Sequence, residues 1–113
     1  MQNANRNFTF RLYLDTRYIN SNDEYLGKFE VKIRIKSKHE RNPKLTKTGI
    51  YIKEDIFNAL YPMYVSKRIR AKKSFQNSIS AIANREENQI LKEQIDHELK
   101  DWKNAETEEI RTF

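Results

Sequence analysis

The stretch KFEVKIRIKSK, residues 28–38, decides how the chain is read. Successive side chains of a β-strand point to opposite faces, so a strand here puts Phe29, Val31, Ile33 and Ile35 on one side and Lys28, Lys32, Arg34, Lys36 and Lys38 on the other. The expected element has an apolar back and a cationic front.

Two neighbouring stretches repeat the pattern. NFTFRLYLD, residues 7–15, opposes Phe8, Phe10, Leu12 and Leu14 to Thr9, Arg11, Tyr13 and Asp15. LTKTGIYI, residues 45–52, opposes Thr46, Thr48, Ile50 and Ile52 to Leu45, Lys47, Gly49 and Tyr51, and the second set continues the basic face. A glycine inside a strand marks a bulge or a close backbone approach, and Gly49 fits either. Polar turn clusters at 20–24, followed by Gly27, and at 37–44, containing Pro43, join the three runs at lengths suited to antiparallel connections.

Beyond Ile52 the period changes. Lys53 to Leu60 begins with acidic residues and places Ile56, Phe57 and Leu60 at helical spacing, so a short helix ends before Pro62. A linker over 64–73 follows, with Tyr61, Met63 and Tyr64 expected in core packing in preference to an exposed docking patch shared with Trp102. Then Ile79, Ile82, Glu86 and Ile90 recur at about helical spacing, and Leu91, Ile95, Leu99 and Trp102 at i, i+4, i+8 and i+11. The tail is expected to be one amphipathic helix or a pair over 74–104, with 105–113 fraying. The fold class is α+β: a three-stranded antiparallel sheet followed by C-terminal helix or helices, βββα. Its only apolar cover is the stripes of those helices. Residues 1–65 form the strand body with its short helix. Residues 66–113 form a basic linker and helical tail, either in the same compact unit or as a connector to a further domain.

The 113 residues suit one compact domain. Mean hydropathy is −0.95, and 37% apolar against 34% charged residues leave a modest core under a large solvated surface. The net charge of +6 is unevenly spread: residues 1–73 carry 17 Lys and Arg against 7 Asp and Glu, a balance of +10, and residues 74–113 carry 5 against 9, a balance of −4. An anionic partner should therefore meet the first half. The absence of cysteine excludes disulfides and thiolate metal sites. No apolar run is long enough for a membrane span, and MQNANRNFTF has no apolar signal core, so a cytoplasmic protein is the simplest expectation.

The function classes narrow accordingly. His39 and His97 lack a second ligand at metal spacing. Two glycines do not make a phosphate loop, and Glu93, Asp96 and Glu98 fit a solvated helix face better than an acid–base pair. No cofactor, metal or catalytic residue is expected. The basic strand face is sharper than an ordinary solvated surface because its cations recur on successive strands, interleaved with hydroxyl and aromatic groups. Arg11, Tyr13, Lys32, Arg34 and Lys36 form the central expected DNA footprint, flanked by Thr9, Lys28, Lys47 and Tyr51. Lys67, Arg68 and Arg70 add phosphate contacts or are simply a charged surface. Two alternatives remain open: single-stranded RNA stacked on Tyr13 and Tyr51, and a protein-interaction module docking through Leu91, Ile95 and Leu99.

The runs Phe10 to Leu14, Val31 to Ile35 and Thr48 to Ile52, followed closely by a short helix, resemble the amino-terminal arm-type DNA-binding domain of tyrosine recombinases, notably phage and conjugative-transposon integrases of the Bacteroides group. The resemblance covers about residues 7–64. It implies binding of double-stranded DNA at arm-type sites by a sheet in the major groove, in the service of DNA integration and recombination. It also implies that the core-binding and catalytic domains lie outside this segment, so that none of the tyrosines here is the nucleophile.

Overall fold

The computed structural model describes residues 8–18, 23–39 and 41–104. Asn7, the turn residues 20–22 and the segment 105–113 expected to fray lie outside the described residues. The three alternating runs form strands β1 (Phe8–Asp15), β2 (Phe29–Ser37) and β3 (Lys44–Ile52). They pair antiparallel in the order β1-β2-β3. Helices α1 (Glu54–Leu60), α2 (Lys67–Arg70), α3 (Lys73–Ala83) and α4 (Glu86–Lys103) follow, so the βββα class expected from the pattern is the observed fold.

The register fixes both faces. On the back, Phe10 lies opposite Ile35, Leu12 opposite Ile33 and Leu14 opposite Val31. Leu12, Val31, Ile33, Ile35 and Ile52 are buried with Phe57 and Leu60 of α1, Tyr61 just beyond it, and Ile95 of α4. Phe10 and Leu14 are only half-buried, since β1 is an edge strand. Helix α4 touches both outer strands, β1 and β3, and so crosses the back of the sheet. Its stripe of Leu91, Ile95, Leu99 and Trp102 belongs to this core. Of the three residues expected to dock a partner, Ile95 is buried by the chain itself, and Leu91 and Leu99 are half-buried against the same core.

The tail is a helix pair. After α3 the chain turns at Asn84 and Arg85, and buried Asn88 donates its side-chain N–H to the Ile82 carbonyl at 2.8 Å, while the Gln89 amide donates to the Ala83 carbonyl. The first turn of α4 thereby satisfies carbonyls that the end of α3 leaves without a helical partner. Glu86 and Glu87 sit in that first turn, where negative charge favours the helix dipole. The break also resets the phase of the helix. Ile79 and Ile82 are half-buried, whereas Glu86 and Ile90, expected to continue their stripe, are exposed.

The segment 64–73 is more ordered than a linker. A 3-10 turn, Pro62–Tyr64, precedes α2, whose N-cap Ser66 accepts a hydrogen bond from the Ile69 N–H. Tyr61 is buried and donates its hydroxyl to Asp96 Oδ1 at 2.7 Å, and Lys92 holds the other oxygen of that carboxylate at 2.8 Å. Burial, reinforced by the Asp96 hydrogen bond, pushes the Tyr61 hydroxyl well above its usual range, which keeps it a donor. Met63, assigned to the core with Tyr61 and Tyr64, is instead exposed, because the 3-10 turn directs it outward.

Ile95 is fully buried and Ile90 is 49% exposed on the same helix. Ile95→Ala is expected to lower unfolding stability by about 2–5 kcal/mol in a denaturant titration. Ile90→Ala should change it by no more than about 0.5 kcal/mol.

Candidate nucleic-acid interface

The solvent side of the sheet divides into two ends. At one end Thr9 lies opposite Lys36 and Arg11 opposite Arg34, and these four residues line a shallow hollow of about 240 Å³. Like charges placed directly opposite on paired strands repel. Arg11 turns toward the β1 edge, where its guanidinium lies 5.0 Å from the centre of the Tyr64 ring. Arg34 is exposed. Among the described residues neither guanidinium has a carboxylate within ion-pair distance. A neighbouring hollow of about 370 Å³ joins Arg11, Tyr13 and Arg34 to Glu54 and Asn58 on α1.

The other end is a closed electrostatic unit. Asp15 is buried and lies opposite Glu30. Its Oδ2 accepts from Lys32 Nζ at 2.6 Å and from Arg17 at 2.8 Å, and its Oδ1 accepts from Arg17 Nε at 2.8 Å and from the Arg17 backbone N–H at 3.2 Å. The Arg17 hydrogen bonds hold the Asp15 carboxyl far below the usual carboxylate range against the opposing effect of burial, and Lys32 assists. Tyr18 completes the unit, with the Arg17 guanidinium 5.5 Å and the Lys32 ammonium 5.7 Å from its ring centre. Lys32, placed by alternation at the centre of the footprint, has a side chain only 12% exposed. It holds a buried carboxylate in place of facing solvent.

Strand β3 carries the irregularity that Gly49 signalled. Glu30 pairs with Tyr51 and Lys32 with Lys47, so β3 advances four residues where β2 advances two. In the bulge the Thr48 hydroxyl donates to the Val31 carbonyl at 2.6 Å and accepts from the Ile50 N–H at 3.1 Å. Gly49 has φ +75°, a left-handed conformation that glycine adopts without steric cost. Its N–H donates to Glu30 Oε2 at 3.1 Å. Tyr51 stacks on Tyr25 with ring centres 4.2 Å apart and 26° between planes, which covers one of the faces that base stacking would use.

The expected site residues thus fall into groups. Thr9, Arg11, Arg34 and Lys36 come together, with half-buried Tyr13 next along β1. Lys47 is exposed beside the Asp15 unit, opposite Lys32. Lys28 precedes β2 and lines a groove with Lys53 and residues at the start of α4, so it does not extend the basic row. Glu30 occupies the front between Lys28 and Lys32, a negative charge within the cationic row. Lys67, Arg68 and Arg70 are exposed on α2, which packs on α3. Asp15 was visible as a front-face position, but its clamp on Lys32 needed the strand register, and that of Arg17 needed the turn geometry.

No family model matches the chain, and searches of curated proteins and of solved structures gave no match. No helix among the described residues is long and apolar enough to cross a membrane.

The stability contributed by a carboxyl whose folded pKa is depressed is fully present above its ordinary value of about 3.8 and is lost as pH falls toward the folded value. Wild-type stability should therefore decline below about pH 4. Asp15→Asn should remove about 1–3 kcal/mol at neutral pH and flatten the acid limb of the stability–pH curve, read by thermal unfolding from pH 7 to pH 2.

Proposed function

We propose that this chain binds double-stranded DNA with the front of its sheet in the major groove, as the arm-type DNA-binding domain of a site-specific tyrosine recombinase acting in DNA integration and recombination. The catalytic domain would lie outside the chain. One observation carries the reading: Arg11 and Arg34 occupy directly opposite positions on paired strands, and neither guanidinium has a carboxylate at ion-pair distance among the described residues. Such an arrangement costs the isolated fold some stability, and a polyanion relieves that cost.

The roles follow from side-chain chemistry. Arg34 projects from the central strand, and its planar fork suits the O6 and N7 acceptors of guanine. Arg11, Lys36 and Lys47 suit phosphates on either side, and Thr9 and Tyr13 add neutral hydrogen-bonding groups. Lys67, Arg68 and Arg70 would add sequence-independent affinity from α2. Lys32 contributes by holding Asp15, so that its removal harms the fold before it harms binding.

Binding of labelled duplexes, followed by fluorescence anisotropy at low and moderate salt with single-stranded RNA as competitor, tests the proposal. The expected result is salt-weakened duplex binding that RNA competes poorly. On a selected site Arg34→Ala should cost about 1–3 kcal/mol. Absence of duplex binding at low salt, or preferential capture of RNA, would overturn it.

A further inference from the structure

On the duplex-binding reading just given, a negative charge on the recognition face calls for explanation, because an acidic side chain there repels phosphate. Glu30 is such a charge: it stands on the central strand, half-buried, opposite both Asp15 and Tyr51. Its Oε2 is fixed by the N–H of Gly49, whose left-handed backbone turns that donor toward it at 3.1 Å. Among the described residues Oε1 has no hydrogen-bond partner. Asp15 takes up Lys32 and Arg17, and no ion pair joins Glu30 to Lys47, although both line the same hollow of about 390 Å³ with Asp15, Tyr18, Lys32 and Tyr51.

We infer that Glu30 is a specificity-determining residue that accepts a hydrogen bond from the N4 amino group of a cytosine in the major groove. Guanine and thymine present acceptors that a carboxylate repels, and adenine places its N7 acceptor beside its amino group, so cytosine is the base edge this oxygen fits best. The bulge supplies the positioning: one carboxylate oxygen is held by backbone, and the other is presented outward. Along β2, Glu30 lies four residues from Arg34, about 13 Å. That span corresponds to about four base-pair steps at about 3.4 Å each. A site read by both side chains therefore carries a guanine and a cytosine at about that separation.

Selection from a randomised duplex library, with the wild type, Glu30→Gln and Glu30→Ala run in parallel, tests the inference. The wild type should enrich cytosine at one position by about fivefold or more. Glu30→Gln keeps an oxygen for the Gly49 N–H and adds a donor, so its preference should move to adenine at that position. Glu30→Ala should lose the preference there and bind unrelated duplexes more tightly, having lost a charge that repels phosphate. The same base preferences in all three proteins would overturn the inference while leaving duplex binding standing, and so would a fall in melting temperature of Glu30→Ala with its preferences unchanged. Failure of the wild type to retain any duplex at low salt would overturn both.

Discussion

A three-stranded sheet has two faces, and this chain has one set of helices to cover them. Everything else follows from which face they take. Helix α4 lies across the back and brings Ile95 among Leu12, Val31 and Ile33, so the interior is one layer deep and the front is left to water. The cover comes from the far end of the chain, so strands and tail share one core. The connection through α2 and α3 is a capped, hydrogen-bonded route between them, more than a tether.

The exposed front then has an electrostatic problem that it solves at only one end. Around Asp15, two cations and an aromatic ring surround a buried carboxylate whose four hydrogen bonds leave no oxygen without a donor. The carboxylate and Lys32 lose hydration while the Arg17 side chain stays 55% exposed, and the complete set of hydrogen bonds offsets that loss. At the other end Arg11 and Arg34 keep their charges in solvent. The contrast between a satisfied end and an unsatisfied end, on the same two strands, says more than the total charge of the face.

Much of this was legible in the sequence. Alternation assigned the back of the sheet, because Val31, Ile33 and Ile35 leave no other face to bury, and the spacing of Leu91, Ile95 and Leu99 assigned the cover. The helix break after Ala83 was harder to see, since no proline or glycine marks it and the signal lies in Asn88 reaching back to a carbonyl. Alternation gives the front as a row of cations, and it holds two carboxylates as well. Asp15 and Glu30 sit at front-face positions by parity alone, but only their pairing opposite one another, with Lys32 beside them, gives them meaning. That depends on register, which local composition does not encode.

The bulge at Thr48 and Gly49 adds two residues to β3. The faces of a strand alternate every residue, so the two-residue insertion leaves Lys47 and Tyr51 on the same side of the sheet. A change of length there would therefore act on the twist of β3 and on the spacing of two front-face side chains together.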